Sequence, residues 1–443
     1  MDQTEEDVLG ADVVVVEQAC FFLRQHHHSA GPVGESFEQG NSLPRWGIRP
    51  SSVTPGGPNA RRTWRPSPTT WRDGGEVPRS PLRRSPRPVR EVRRGARRLG
   101  RRAGFPVASA SVPAAPLHHN TSLLAALTEV EDALTSSVQT DDEFLTEVAS
   151  HLIVAGGKRV RPLFSVAAAA VERPRIGDAS RESVLGGVSV ELVHIGSLYH
   201  DDVMDEAVIR RTVDSVNARW GNLRAILAGD FLLARASEIA ASLGVEVAGL
   251  LAATIAKLCE GQVRELQSMF DVGRTEEAYL SSISGKTASL FASACRIGGI
   301  VADLDRDAID AVTEFGQRYG MAFQMVDDVL DLTATEEQLG KPAGNDLVEG
   351  VYTLPVLRAL ELDGGEELRD LLGQPLEPAQ IDRVRAIARV NGGIDAALAE
   401  ARAQVDAAAV ALAPFEGSEA AAALVGAAEH LLESVRAIAS RHG

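Results

Sequence analysis

Residues Val188 to Thr212 read VSVELVHIGSLYHDDVMDEAVIRRT. An apolar run leads into three aspartates, Asp201, Asp202 and Asp205, and then into Arg210 and Arg211. On a helix, Asp201 and Asp205 project from one face with about 6 Å between them. Two like charges at that spacing repel. They also stand near the end of the apolar run, where the negative end of the helix dipole makes carboxylates unwelcome. A divalent cation bound through oxygen relieves both problems, and Mg²⁺ is the usual one where phosphates are held. The arginines, one to two turns further on, can grip an anion. The stretch therefore predicts a metal–phosphate site at the mouth of a buried helix.

Working outward, the chain of 443 residues has room for one large core or two to three domains. Its net charge of −16 is unevenly spread. Residues 1–110 hold 18 Lys/Arg against 11 Asp/Glu, whereas residues 111–443 hold 27 against 50. An acidic body argues against nucleic acid as its partner. Cys20, Cys259 and Cys295 are scattered, with no disulfide framework or metal-binding spacing, so a reducing compartment is expected. No apolar run reaches the roughly 20 residues that cross a bilayer. Asp2, Glu5, Glu6 and Asp7 stand where a secretion signal would be basic, so the expected location is the cytoplasm.

Residues 1–115 differ from the rest. They are dense in Arg, Pro, Gly and Ser, as in RSPLRRSPRPVREVRRGARR, and hold no apolar period. A disordered segment is expected, a solvated one in preference to a nucleic-acid or anionic-lipid tail. The abrupt change also admits a chance reading of a frame upstream of a start near Val107 or Val112; intact mass of the native protein decides between the two. From 116 to 443 the reading is helical almost throughout, because apolar residues recur at three and four. Helices are expected at 121–137, 141–155, 158–172, 180–204, 215–242, 246–267, 275–300, 305–332, 351–361, 365–373, 378–389, 392–413 and 417–440. The fold class is all-α: one large helical bundle with a central apolar cavity.

Three further stretches carry chemistry. Gly156-Gly157-Lys158-Arg159-Val160-Arg161-Pro162 opens a helix, and its glycines let an anion approach the free N–H groups. Lys158 and Arg161 share one side. Cations at a helix N-terminus oppose the dipole, which favours an anion site over a merely solvated turn. Phe323 to Asp331, FQMVDDVLD, repeats the DDxxD pattern with Asp327, Asp328 and Asp331. Two such motifs facing each other across a cavity would hold several Mg²⁺ ions around one diphosphate. Lys286-Thr287 and Lys341 are ordinary residues alone and gain a purpose beside such a diphosphate. A lone helical histidine such as His194 is usually a satisfied core residue, and Tyr199 and His200 are read with the same caution.

Assembled in this order and spacing, GGKRVRP, HDDVMDEAVIRR, GKTASL, FQMVDDVLD and GKPAGNDLVEGVYTLP make the body resemble the trans-polyprenyl diphosphate synthases over about residues 117–443. The resemblance implies a bundle of the isoprenoid synthase type, a prenyltransferase, and two to three Mg²⁺ ions. Asp201 and Asp205, with Asp202 assisting, would bind Mg²⁺ and the allylic diphosphate; Asp327 and Asp328, with Asp331 nearby, would complete the metal cluster. Arg210, Lys286 and Lys341 would hold the allylic diphosphate. Lys158, Arg161, His194 and Arg211 would hold isopentenyl diphosphate, and Thr287 and Gln324 would line the reacting carbons. A homodimer is expected, with a product for quinone side chains passed to membrane enzymes. Short-chain members place a bulky aromatic just before the first acidic motif. Gly196 and Ser197 stand there instead, with Val193 deeper, so a long product of about C30 to C50 is expected by family analogy. The alternatives are a class I terpene cyclase, which the second DDxxD and the complete isopentenyl site oppose, and a non-catalytic regulatory subunit, which the intact aspartates oppose.

Overall fold

The computed structural model describes residues 115–334 and 343–439. The Arg/Pro/Gly-rich segment and Lys341 lie outside them. Seventeen α-helices follow one another in the described residues: α1 Ala115–His119, α2 Thr121–Ser137, α3 Glu143–Val154, α4 Val160–Ala168, α5 Arg181–Met204, α6 Val216–Trp220, α7 Asn222–Ser242, α8 Val245–Gln267, α9 Glu276–Ile283, α10 Ser289–Val301, α11 Arg306–Thr333, α12 Asn345–Glu349, α13 Leu354–Leu360, α14 Gly365–Leu371, α15 Pro378–Val390, α16 Gly393–Ala411 and α17 Glu419–Ala439. Their starts follow local chemistry. The side chains of Asn120, Asp142, Ser180 and Thr275 accept from otherwise unpaired N–H groups of the first turns of α2, α3, α5 and α9. Glu377 and Gln380 close a reciprocal capping box on α15.

The organising element is α5. Its apolar and small residues cover every face rather than one stripe, so it belongs inside the bundle. Val188, Val190, Leu192, Val193 and Ile195 are all fully buried. Helices α2, α4, α7 and α10 pack around it, and α11 packs on α10 and α16. The core is therefore a shell of helices round a helix whose C-terminal end carries the first aspartates.

Three departures from the sequence reading position the site. The helix expected over 215–242 is broken at Gly221 into α6 and α7. The helix expected over 275–300 is present, but Ser284–Ala288 form a π-helical turn between α9 and α10. Beyond Met204 the chain leaves the helix, so Arg210 and Arg211 do not lie on further turns. Ile209–Arg210 (β1) and Val213–Asp214 (β2) pair as an antiparallel hairpin, Ile209 opposite Asp214.

Candidate active site

At the C-terminal end of α5, Asp201 is half-buried and Asp205 exposed, while Asp202 is fully buried on another face. Burial, with Asp205 adding its repulsion, pushes the Asp201 carboxyl up to about 6; Lys286 and Arg210 pull the other way. Asp205 is raised too, by burial first. Asp202 faces inward, where its Oδ1 accepts from Arg210 Nε at 2.6 Å. Asp202 thus anchors the hairpin rather than facing the Asp201–Asp205 side, and Arg210 is held by it.

The hairpin's two turn residues, Arg211 and Thr212, both have left-handed backbones, φ 51° and 67°. This is the pattern of a type I′ turn, normally filled by Asn and Gly. A non-glycine residue there costs on the order of 1–3 kcal/mol, and such strain clusters at functional sites. Arg211 offsets it by donating from Nη1 to the carbonyls of Leu152 (2.9 Å) and Gly156 (2.6 Å) at the C-terminal end of α3.

The same end of α3 receives the basic loop. Arg159, also left-handed at φ 47°, turns inward and is 1% exposed. It donates to Glu131 Oε1 (2.8 Å), to Glu191 Oε1 (3.0 Å) and to the Ile153 carbonyl (2.9 Å). With Arg159 spent as an anchor, Lys158 and Arg161 are the cations of this loop left for an anion. Burial lowers Lys158 to about 8, against the pull of Asp327. Arg161 is lowered to about 10, by burial and then by Arg211; its guanidinium sits 4.5 Å above the Phe291 ring and its Nε is buried with no hydrogen bond. His194 is driven well below its usual range by burial and then by Arg161, Arg211, Arg159 and Arg210, so it stands neutral among cations. One buried carboxylate, Glu191, faces Arg159 at 3.0 Å and Arg211 at 3.8 Å.

Across the site, the second acidic stretch ends α11. Asp327 is exposed and Asp331, one turn on, is 2% exposed. Asp328 is buried on a different face, where Oδ2 accepts from Tyr279 Oη at 2.6 Å and Oδ1 from Gln324 Nε2 at 2.9 Å. Gln324 Oε1 in turn accepts from Thr287 Oγ1 at 2.8 Å. Asp328 is therefore a partner of Gln324 and Tyr279, while Asp327 points about 100° away and the buried Asp331 lies between the two, its Oδ2 accepting from Asp346 N at 3.2 Å. The π-turn sets Lys286 and Thr287 on their two courses. It is close-packed: a Cβ on Gly261 would lie 2.5 Å from Lys286 N, and one on Gly285 2.7 Å from the Lys257 carbonyl. Thr287 meets Gln324, and Lys286 Nζ pairs with Glu265 of α8. Burial opposes the Lys286 charge, but Glu265, Asp201 and Asp205 outweigh it and raise its pKa.

The residues assigned to chain length are not all on one side. Gly196 lies in the seam between α5 and α7, where a Cβ would sit 3.1 Å from the Gly229 carbonyl and 3.4 Å from Leu232 and Leu233. Five residues before Asp201 is about 140° round the helix, so Gly196 is a helix–helix contact and not an open floor. Ser197, one turn before Asp201, is half-buried on the aspartate face, and Val193 is fully buried. Tyr199 donates to the Val148 carbonyl at 2.8 Å and His200 lies 3.4 Å from Asp230; both are the core or satisfied residues the sequence suggested.

Four contributors went unnoticed in the sequence: Glu131, Glu191, Glu265 and Tyr279. Glu191 and Tyr279 had one available cue, a polar group on an otherwise apolar helix face. Among the described residues no three carboxylates, imidazoles or thiols gather closely enough to cage a metal by themselves. The acids instead come as pairs at i and i+4. That donor set suits Mg²⁺, which binds through one or two carboxylates and takes its remaining oxygens from water and phosphate.

A buried helix ending in paired carboxylates, a second acidic helix end and an arginine pocket inside an all-helical bundle define a class of diphosphate-handling enzymes. The polyprenyl synthetase family model matches residues 142–389, and the chain belongs to that family; it is a prenyltransferase, a polyprenyl diphosphate synthase of the long-chain type. Nonaprenyl diphosphate synthase of Mycobacterium tuberculosis is 39% identical over 308 residues, 68% of this chain and 91% of that protein. A Caulobacter crescentus polyprenyl synthase, crystallised with calcium and isoprenyl diphosphate, is similar at TM-score 0.67 and 33% identity, covering 73% of this chain and 98% of that one. A decaprenyl diphosphate synthase from Rhodobacter capsulatus is similar at TM-score 0.67 and 31% identity, over 73% and 100%.

Proposed function

We propose that this enzyme condenses isopentenyl diphosphate with an allylic diphosphate, in repeated cycles, to a product of about C30 to C50. The observation that supports the reading is the presence of two groups of cations: Lys286 beside the α5 aspartates, and separately Lys158, Arg161 and Arg211. Asp201 and Asp205 from one helix, and Asp327 and Asp331 from the other, would hold Mg²⁺. When bound, Mg²⁺ supplies the positive charge that lets an allylic diphosphate leave. Lys286, Arg210 and Lys341 hold that diphosphate. Lys158, Arg161 and Arg211 hold isopentenyl diphosphate, with neutral His194 as a hydrogen-bonding neighbour. Binding both partners at once turns a collision into a fixed approach of double bond to cation. Thr287 and Gln324 turn oxygen toward the developing positive charge. The proton lost after bond formation goes to the departed diphosphate, since no protein base stands free in the described site. The growing tail runs along the aspartate face of α5, past Ser197. Quinone side chains are the destination we favour for such a chain, handed on to membrane enzymes, and the cytoplasm is the location we favour for the enzyme; among the described residues no helix is long and apolar enough to cross a membrane.

A homodimer is part of the proposal. Leu223 (70% exposed) and Leu227 (57%) on α7, and Val263 (51%) and Leu266 (46%) on α8, leave apolar rows in water, and exposed Ala252, Ala256 and Cys259 continue the α8 row at helical spacing. The test of the activity is direct: purified protein, Mg²⁺, radiolabelled isopentenyl diphosphate and allylic primers of several lengths, with products separated by size. Elongation to a long chain is expected. Folded protein that elongates no primer overturns the reading and favours a regulatory subunit.

A further inference from the structure

We propose that Tyr279 is a positioning residue for the condensation: through Asp328 it fixes which way the side-chain amide of Gln324 points, so that oxygen and not N–H faces the reacting carbons. The proposal rests on the placement of Thr287 and Gln324 beside those carbons. Both oxygens of Asp328 are taken, Oδ2 by the Tyr279 hydroxyl at 2.6 Å and Oδ1 by Gln324 Nε2 at 2.9 Å. Burial pushes the Asp328 carboxyl up to about 7, while the Tyr279 and Gln324 donors favour its ionised form, which can only accept; the amide nitrogen faces it. The amide oxygen is then forced to the opposite side, where it takes the proton of the Thr287 hydroxyl at 2.8 Å. Every hydrogen in this line points toward Asp328. The Thr287 end therefore carries lone pairs, which stabilise a developing carbocation, whereas an N–H at the same place would oppose it.

Tyr279 holds the far end of the line. It is 1% exposed and Asp328 2%, so water does not replace the phenol if it is removed. Arg274, whose guanidinium stands 5.6 Å from the Tyr279 ring centroid and donates to the Tyr352 carbonyl at 3.0 Å, closes the ring in from outside. Without the hydroxyl, Asp328 Oδ2 is left without a donor in the core. The carboxylate then turns to regain one, and the amide loses the acceptor that set its orientation. Tyr279 itself touches neither substrate nor metal; its effect passes through Asp328 and Gln324.

The experiment uses the full chain and Tyr279→Phe, which keeps the ring. The expected result is a kcat about tenfold lower, the scale of one hydrogen bond to a charged group. The KM for each diphosphate and the Mg²⁺ half-saturation stay within twofold. With an allylic primer carrying fluorine next to its reacting carbon, whose cation needs more support, the loss is larger than with the natural primer. In a Gln324→Met background, where no amide remains to be oriented, Tyr279→Phe removes nothing more. Asp328→Asn, which cannot accept from both donors, is the second variant and shows the same primer-dependent loss if Tyr279→Phe folds poorly. An unchanged kcat in Tyr279→Phe, equal losses with both primers, or an undiminished loss in the Gln324→Met background overturns the proposal. A wild type that elongates normally beside such results confines the failure to Tyr279; a wild type that elongates nothing removes the functional reading as well.

Discussion

Asp201 retains its proton up to about pH 6, because burial and Asp205 both penalise the charged form. Its folded-state pKa lies above the usual carboxylate value, so the stability this group contributes is present in acid and lost as the pH rises through about 6. A bound cation reverses that loss, so a Mg²⁺-dependent rise in Tm is expected to be larger at pH 7.5 than at pH 5. Activity at limiting Mg²⁺ falls on the acid side of about 6 for the same reason. On the alkaline side Lys158, lowered to about 8 by burial, loses its charge, so the KM for isopentenyl diphosphate rises above that pH. A pH–rate series with calorimetry checks both limbs, and a Tm response to Mg²⁺ that ignores pH sinks the assignment. At this scale the sequence was informative where spacing encodes chemistry, as with Asp201 and Asp205. It was silent where a partner comes from afar: Glu191 matters because Arg159 and Arg211, 32 and 20 positions away, fold onto it. It also could not separate the aspartates within one motif, because Asp202 and Asp328 differ from their neighbours only by helical phase.

Helix positions along the chain were legible because a 3.6-residue apolar rhythm marks them, and the departures lie where that rhythm is blind. A hairpin of two-residue strands has no periodicity, and Arg211-Thr212 lacks the Asn-Gly chemistry that would announce it. The π-turn hides inside an apolar run whose pattern it only shifts by one residue. Phase also decides the product ruler. With the Gly229 carbonyl 3.1 Å from any added Cβ, Gly196→Phe should destabilise the fold by about 1–3 kcal/mol or more. Ser197→Phe, on the aspartate face, should shorten the product with little change in stability. Product sizing and denaturant titration of the two variants separate these roles; a stable Gly196→Phe enzyme making shorter chains would restore the original floor.

At the scale of the whole molecule, one helix-rich core supports two groups of cations, and the apolar rows on α7 and α8 predict a dimer. Leu227→Glu together with Leu266→Glu should yield monomers in sedimentation experiments while far-ultraviolet spectra keep their helical form; dimers that survive place the contact elsewhere. The all-helical class was readable from composition and period alone, but the meeting of α3, α5 and the hairpin at one point was not, since it depends on how long helices cross. That meeting point sets Glu131 and Glu191 against Arg159, Arg161 and Arg211. Positive charge is in surplus there before any substrate arrives. A cluster of this kind is a standing attraction for whatever anion the surroundings supply. On the proposed assignment, phosphate, sulfate and above all the diphosphate released in each cycle would compete for the seat of the next isopentenyl unit. The pace of chain growth would then be tied to how quickly the surroundings clear inorganic diphosphate, and the buffer chosen for an assay would become one of its reagents.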